Sequence, residues 1–372
     1  MLKVGITGQA GFVGSHLFNT LGLFEEEFTR IEFNKDYFKD ETKLNDFVSK
    51  CDVIVHLAAM NRHNDPDVIY STNIDLVQKL INSLNNTNSK AHVLFSSSTQ
   101  EERDNLYGKS KKEGREMMIN WSEKSGGKFS GMIIPNVFGP FGHPNYNSVV
   151  ATFCHKLSHN ETPVIEVDGD MKLIYVGELV TSIISEIRSE KGIHEIIVNH
   201  TSESKVSTLL ALLESYKTEY QDKGIIPTIN NTFELNLFNT FRCYMDIKNH
   251  FPVKFIEHTD PRGSFVEIIR LGIGGQVSFS TTVPGITRGN HYHTRKIERF
   301  AVIKGKALIQ LRRIGTNEVL DFYLDGDQPA YVDMPIWYTH NIKNIGEEIV
   351  YTNFWINEFY DPNDPDTFFE NV

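Results

Sequence analysis

The sequence predicts an α/β doubly wound parallel sheet followed by an all-β barrel. Three observations carry the expectation. A glycine-spaced segment, Gly8, Gly11 and Gly14, directly follows a short apolar run. Strand-like and helix-like segments then alternate through the first half of the chain, the pattern of a parallel sheet wound by helices. Near Asp246–Pro252 helical periodicity nearly vanishes, and short β-type runs separated by turn residues take over.

The expected strands of the first half are Val4–Thr7, Val53–Ala58, Val93–Ser97 and Met132–Pro135. Helices are expected from Asn73 to Leu84 and from Lys109 to Trp121, then from Leu209 to Tyr216 and Phe233 to Phe241. In the second half Phe265–Leu271, Gln276–Thr282, Arg299–Ile303, Ala307–Leu311 and Ile349–Trp355 read as strands. A boundary near residue 245 separates a domain at 1–245 from one at 250–372. The acidic, turn-prone stretch Asp361-Pro-Asn-Asp-Pro-Asp366 reads as a solvated C-terminal segment.

Bulk properties narrow the function classes. The chain has 372 residues, 40% hydrophobic and 23% charged, which suits two or three ordinary globular domains. A net charge of -11 argues against nucleic acid as a partner, since that requires a basic footprint. Cys51, Cys154 and Cys243 are odd in number and lack CxxC spacing, as in a reducing compartment. Met1 to Ile6 runs straight into the first strand with no signal-peptide pattern, and no apolar run approaches membrane-spanning length. A cytoplasmic protein without membrane insertion is expected.

Thr7-Gly8-Gln9-Ala10-Gly11-Phe12-Val13-Gly14 has the strand before it and the helix after it that a dinucleotide turn requires. Gly8 permits the tight turn, Gly11 lets the backbone approach a pyrophosphate, and Gly14 lets the helix pack closely on the sheet. The pyrophosphate then lies at a positive helix end. The second strand is read as Thr29–Lys35, with Glu32 inside it and Asn34 and Lys35 at its tip. Such a tip accommodates a 2′-phosphate and favours NADPH.

Tyr107 and Lys111 are four apart and share a helix face. An ammonium beside a phenol lowers the phenol pKa from about 10 toward neutrality, making a general acid/base. Ser96-Ser97-Ser98-Thr99 ends the preceding strand, where a hydroxyl could polarise a carbonyl.

With these motifs residues 1–245 resemble the extended short-chain dehydrogenase/reductases, a family of Rossmann-type folds. Further matches are His56-Leu57-Ala58-Ala59 after the fourth strand, Asn73 opening a helix, Pro135-Asn136-Val137-Phe138-Gly139-Pro140 and Lys172–Glu178. The resemblance implies Ser98, Tyr107 and Lys111 as catalytic residues. It implies cofactor contacts from Gly8, Gly11, Phe12, Val13, Gly14, Asn34, Lys35, Leu57, Ala58, Ala59 and Lys111. The Ser98-to-Tyr107 gap is shorter than the family's, which leaves Thr99 as an alternative to Ser98. The family's sugar-nucleotide dehydratases carry Thr-Asp-Glu where this chain has Ser98-Thr99-Gln100. Without that acid pair dehydration lacks its acid and base, and reduction or epimerisation at C4 remains.

In the second half Gly285 is followed after five residues by His291-Tyr292-His293, after four more by Glu298 and after six more by Gly305. His291 and His293, two apart on a strand, point to one side. Pro335-Ile336-Trp337-Tyr338-Thr339-His340 follows, with Asn344 four beyond. Three imidazoles and one carboxylate suit a divalent metal such as zinc. Both segments resemble the two motifs of the cupin barrels, with Trp337 where a glycine is usual. The resemblance implies His291, His293, Glu298 and His340 as ligands, in a catalytic or a structural role.

Asp260–Glu267 and Arg288-Gly289-Asn290-His291-Tyr292 also resemble segments of the cupin-fold dTDP-4-keto-sugar 3,5-epimerases. In those enzymes the position of His291 is the proton-abstracting base. One imidazole nitrogen cannot serve both roles; the ligand role is favoured because the other ligands are present, and the base stays open.

The two halves together resemble a family of bifunctional capsular polysaccharide enzymes. That resemblance implies C3 epimerisation of UDP-2-acetamido-2,6-dideoxy-β-L-arabino-4-hexulose and NADPH-dependent C4 reduction to the L-talose derivative, on the route to UDP-N-acetyl-L-fucosamine. It also implies zinc and a homodimer. The alternatives are a single-function C4 reductase or a redox-neutral epimerase, with the cupin as a binding or dimerisation module.

Overall fold

The computed structural model describes residues 1–189, 191–260, 263–266 and 268–372. In chain order the α/β part runs β1 (Leu2–Thr7), α1 (Phe12–Leu21), β2 (Phe28–Ile31), α2 (Glu41–Ser49), β3 (Val53–His56), α3 (Pro66–Asn86), β4 (His92–Ser98), α4 (Leu106–Ser125), β5 (Phe129–Ile134), β6 (Asn136–Phe138), α5 (Val149–Ser158), β7 (Asp170–Tyr175), α6 (Val176–Ile187), β8 (Ile193–Ile197) and β9 (Ser202–Lys205). Then come α7 (Val206–Tyr216), α8 (Thr232–Arg242), α9 (Ile247–His250), β10 (Val253–Lys254), β11 (Glu257–Asp260), β12 (Gly263–Val266), β13 (Gln276–Thr282), β14 (Thr287–Tyr292), β15 (Glu298–Lys304), β16 (Lys306–Arg313), β17 (Val319–Asp325), β18 (Ala330–Met334), β19 (Tyr338–Asn344), β20 (Val350–Ile356) and β21 (Phe368–Phe369).

The chain divides into two compact units, each drawn from two stretches: Met1–Thr152 with Asp168–Val206, and Phe153–Val167 with Ser207–Val372. The first unit carries a Rossmann-like sheet of order β2-β1-β3-β4-β5-β8, every pair parallel. Its central strands are apolar without alternation because helices cover both faces: Val4, Ile6, Ile54, Val55, Val93 and Leu94 are buried. Strand order reverses between β1 and β3, and in open α/β sheets ligands bind outside the carboxyl ends of strands at such a switch point.

Several expectations for this unit change. The second strand stops at Ile31, so Asn34 and Lys35 lie beyond it, where Asn34 caps a 3-10 turn at Lys35–Lys39. Between Ile31 and Val53 the chain forms only that turn and α2, so His56 ends the third strand and not the fourth. Asn73 does not open its helix. The start lies at Pro66, where Asp65 accepts from the backbone N–H of Asp67 at 3.0 Å and proline supplies the first turn.

Asn73 sits mid-helix and buried. It accepts from Met60 N at 2.7 Å and donates to Met60 O at 3.1 Å and Ser110 Oγ at 3.0 Å. One side chain thus ties the loop after β3 to α3 and α4. Asn73→Ala leaves the Met60 N–H and C=O without that partner and is expected to cost about 1–3 kcal/mol. Urea unfolding should show a lower midpoint at unchanged slope.

The second unit is β-rich, with two five-stranded sheets of order β10-β18-β15-β20-β13 and β17-β16-β19-β14-β21, antiparallel throughout. Their apolar faces share a core that includes Phe300, Val302, Ile309, Leu311, Phe322, Val332 and Ile342. Ile247 and Phe251 of the helical segment belong to the same core. A buried ion pair adds to that attachment: Arg299 donates to Asp333 at 2.7 and 3.0 Å, and Tyr220 donates to Asp333 at 2.6 Å. The expected strand Phe265–Leu271 stops at Val266; residues 268–270 form no strand, and Pro261, Arg262 and Glu267 lie outside the described residues.

The C-terminal stretch is solvated over Asp361–Asp364, as expected, but not at its end. Asp366 is only 3% exposed, and Phe368–Phe369 pair with β14 as a sheet strand. Its acidic composition misleads because the Asp366 carboxylate is satisfied by backbone donors. No helix among the described residues is long and apolar enough to cross a membrane. Cys51, Cys154 and Cys243 are free thiols.

Candidate active sites

A cavity of about 710 Å³ opens at the switch point of the first unit. Gly8, Gly11, Phe12, Val13, Gly14, Asn34, Lys35, Leu57, Ala58, Ala59, Ser98, Tyr107 and Lys111 all line it. Glu32 does not; it is exposed beyond the end of β2. Gly8 has φ +77°, a left-handed backbone that glycine adopts without penalty. Gly14 serves a different packing from the one expected. A Cβ there would collide with the carbonyl of Gly8, so the glycine lets α1 close on its own entry turn. Gln9 fastens this turn to the next loop by accepting from Phe33 N at 2.8 Å.

At the floor of the site Thr7 Oγ1 and His56 Nδ1 are 2.8 Å apart, and His56 stacks on Phe95. Burial, aided by the positive charge of Lys111, pushes His56 down to about 3, so the ring is neutral at physiological pH. Ser96 Oγ donates to His56 O at 3.1 Å and accepts from Lys111 Nζ at 3.4 Å. The ammonium also lies 4.9 Å over the Phe95 ring.

The expected ammonium-induced drop in the Tyr107 pKa is not found. Lys111 Nζ is turned to Ser96 and Phe95, and burial together with the neighbouring Tyr146 pushes Tyr107 up to about 12. Burial also brings Lys111 down to about 8, against the pull of Glu101. Tyr107 is therefore a protonated phenol at neutral pH.

The short connection between Ser98 and Tyr107 closes as a 3-10 turn at Thr99–Glu102. Ser98 Oγ accepts from Gln100 N at 3.2 Å, which leaves its hydrogen to donate. Ser98 lines the cavity and Thr99 does not. Arg115 grips the Glu101 carboxylate at 3.0 and 2.6 Å, and Asn105 caps α4 by accepting from Gly108 N at 2.7 Å. A Cβ at Gly108 would collide with the Gln100 carbonyl, so the glycine after Tyr107 lets the helix start flush against the turn.

Sequence reasoning missed Tyr146, which lines the cavity and accepts from Asn61 N at 3.1 Å. It also missed Arg62, which holds that loop by donating to the carbonyls of Asn145 at 2.9 Å and Tyr146 at 2.8 Å. Neither belongs to a motif; only the fold brings residues 61–62 to residues 145–146.

The β-rich unit gathers a second site. Ligand atoms of His291, His293, Glu298 and His340 all lie within 4.8 Å of one another. A bulge at Asn290, with φ +61°, shifts the register so that His291 stands opposite His340, their rings 4.5 Å apart. His293 falls just past the end of β14, not within the strand as expected. Glu298 begins β15, and its Oε2 lies 3.1 Å from His293 Nε2 and 3.0 Å from His340 Nε2. Burial works against an ionised Glu298, but hydrogen bonds and charge from the two imidazoles outweigh it and hold the carboxyl well below its usual range.

The donor set fits a metal. His340 Nδ1 lies 3.2 Å from Tyr338 O and His293 Nδ1 is bonded to Asp366 O. Each carbonyl takes a hydrogen from Nδ1 and leaves Nε2 facing inward toward Glu298 Oε2, the orientation typical of metal-ligating histidines. His340 Nε2 is buried and lies 3.0 Å from Glu298 Oε2. Trp337 occupies the expected glycine position with φ +62°, so the left-handed turn persists under a non-glycine residue. Its buried ring stacks on Tyr292 at 5.5 Å, a packing contact glycine would not make.

A glycine turn at a sheet switch point, with a tyrosine–lysine pair in the same cavity, defines an α/β enzyme of dinucleotide-binding architecture. Residues 4–199 match the NAD dependent epimerase/dehydratase family, and the chain belongs to that family. Residues 258–368 match the polysaccharide biosynthesis C-terminal domain. The chain is 30% identical to UDP-2-acetamido-2,6-beta-L-arabino-hexul-4-ose reductase of Pseudomonas aeruginosa, over 99% of this chain and 98% of the relative. It is similar to the crystal structure of the capsular polysaccharide assembling protein CapF of Staphylococcus aureus, with 33% identity, a TM-score of 0.62 and full coverage of both chains. RMD from Pseudomonas aeruginosa, solved with NADPH, shares the fold at 18% identity and a TM-score of 0.53, over 59% of this chain and 83% of that one.

Proposed function

We propose that the chain is a bifunctional UDP-sugar enzyme of capsular polysaccharide biosynthesis. Its substrate is UDP-2-acetamido-2,6-dideoxy-β-L-arabino-4-hexulose. The β-rich unit, read as a cupin barrel, inverts C3; the α/β unit reduces C4 with NADPH and gives the UDP-2-acetamido-2,6-dideoxy-L-talose derivative. The observation that carries the reading is the cavity that joins the glycine turn to Ser98, Tyr107 and Lys111. The names of the P. aeruginosa reductase and of CapF supply the sugar and the pathway.

The reduction balances simply. NADPH held by the glycine turn, Asn34 and Lys35 would supply hydride to the C4 carbon, and Tyr107 donates its phenolic proton to the ketone oxygen, so that alcohol and NADP⁺ balance the ketone and NADPH. Burial keeps the proton on the Tyr107 phenol in the resting site. Ser98 donates a hydrogen bond to the ketone, and Lys111 binds the nicotinamide ribose. Asn34 and Lys35 at the cavity wall, with Glu32 outside it, favour a 2′-phosphate and hence NADPH over NADH.

For C3 inversion, the 4-keto group acidifies the C3 proton. His291, His293, Glu298 and His340 would hold a divalent metal, with zinc the best match to three imidazoles and a carboxylate. When bound it would supply Lewis-acid stabilisation of the charge that develops on the ketone oxygen. A cytoplasmic homodimer completes the reading; Phe279, 71% exposed on end strand β13, offers an apolar face for it.

NMR of the full chain with the 4-keto sugar in D₂O tests both steps. Deuterium should enter C3 without NADPH, and the alcohol should appear only with it. Reduction without C3 exchange would make the β-rich unit a binding module. C4 inversion without loss of NADPH absorbance would make the enzyme a redox-neutral epimerase.

A further inference from the structure

We infer that Asp366 is the positioning residue of the metal centre, and that the C-terminal segment is a strap that sets the imidazole of His293. The inference rests on the metal reading of the preceding section and assigns a residue that none of the motifs contains.

The geometry is specific. Asp366 Oδ1 accepts from Thr294 N at 3.0 Å and from Thr294 Oγ1 at 2.7 Å. Its Oδ2 accepts from Arg295 N and Lys296 N, each at 3.0 Å. Consecutive backbone N–H groups thus form a concave nest, an arrangement that binds anions, and a side chain of the same protein fills it. The same residue's carbonyl oxygen accepts from His293 Nδ1. Asp366 therefore fixes the loop that follows His293 with its carboxylate and the ring itself with its backbone.

Two features show that this arrangement is imposed from outside the residue. Asp366 has φ +39°, in the left-handed region that a residue with a side chain enters at a cost. Its neighbours are anchored on both sides. Lys296 Nζ donates to Pro365 O at 2.6 Å, and β21 pairs Phe368 with Tyr292 and Phe369 with His291. The strap thus reaches both histidines of the first motif, one through a ring hydrogen bond and one through strand pairing.

Partners of this kind determine which imidazole nitrogen carries the hydrogen, and their loss typically lowers metal affinity about 10–100-fold. Full-length Asp366→Ala is expected to weaken Zn²⁺ binding by that factor in competition with a chromophoric chelator. Asp366→Asn, which keeps the side-chain shape, should fall between it and wild type. Circular dichroism and NADPH binding by the α/β unit should match wild type.

Selective ¹⁵N-histidine NMR of the metal-free wild type, with the resonance assigned by comparison with His293→Gln, reads the tautomer directly. It should show the His293 hydrogen on Nδ1. Folded Asp366→Ala with wild-type zinc affinity, or a His293 Nδ1 that carries no hydrogen, would overturn the inference. Should Asp366→Ala fail to fold, the tautomer measurement decides alone. Wild-type protein that binds no zinc at all would instead sink the metal reading, a separate and recognisable failure.

Discussion

Tyr107→Phe is expected to lower C4 reduction by about 10²–10⁴-fold, the usual worth of a positioned general acid. That corresponds to about 2.7–5.5 kcal/mol of transition-state stabilisation. The substitution removes only a hydroxyl, so NADPH binding and C3 deuterium exchange should stay near wild type. The residue is a sensitive place to make the change because its phenol lines the cavity together with Ser98 and Lys111. Single-turnover oxidation of bound NADPH by the 4-keto sugar measures the step. A rate within a few-fold of wild type would mean that the proton comes from elsewhere in the cavity.

The second large effect is expected from Glu298→Ala. Its carboxylate lies between His293 and His340 and is buried with them, so alanine removes the only acid of the cluster. Zinc content of the purified protein should fall from about one per chain to near zero, since structural and catalytic sites alike depend on a full ligand set. C3 exchange should fall by more than about 10²-fold, beyond the loss of a mere supporting partner. Reduction of a sugar already inverted at C3 should persist. Elemental analysis and D₂O exchange on one preparation check both halves; unchanged metal content would refute the ligand set.

Much of the α/β half was legible because its signals are local. The glycine turn lies within eight residues, and β1, β3 and β4 are apolar runs whose burial on both faces leaves a plain trace. The tyrosine–lysine spacing placed both residues on α4 and in the cavity. Their electrostatics were not legible. An i,i+4 pair predicts proximity of backbones, whereas the Lys111 ammonium is drawn to Ser96 and over Phe95, both on β4.

The same divide runs through the β-rich half. The spacing of His291, His293, Glu298 and His340 made the cluster legible, but the bulge at Asn290 and the end of β14 before His293 were not. Asp366 left no such trace. Its partners are seventy or more residues away, and its setting among aspartates and prolines reads as surface. Asn73 shows a milder form of the problem: asparagine favours helix starts, but here a tertiary clamp overrides that preference.

The division of the chain into two interleaved units has an evolutionary consequence. Each unit takes its residues from two separate stretches, with Phe153–Val167 belonging to the second and Asp168–Val206 returning to the first. A single recombination event that spliced in a new β-rich partner at any one point would deprive one unit of part of its chain. A splice near residue 250 would leave Ile247 behind, a side chain that the β core already buries. Exchanging the β-rich unit whole therefore takes paired crossovers, one around Phe153–Val167 and one after Val206.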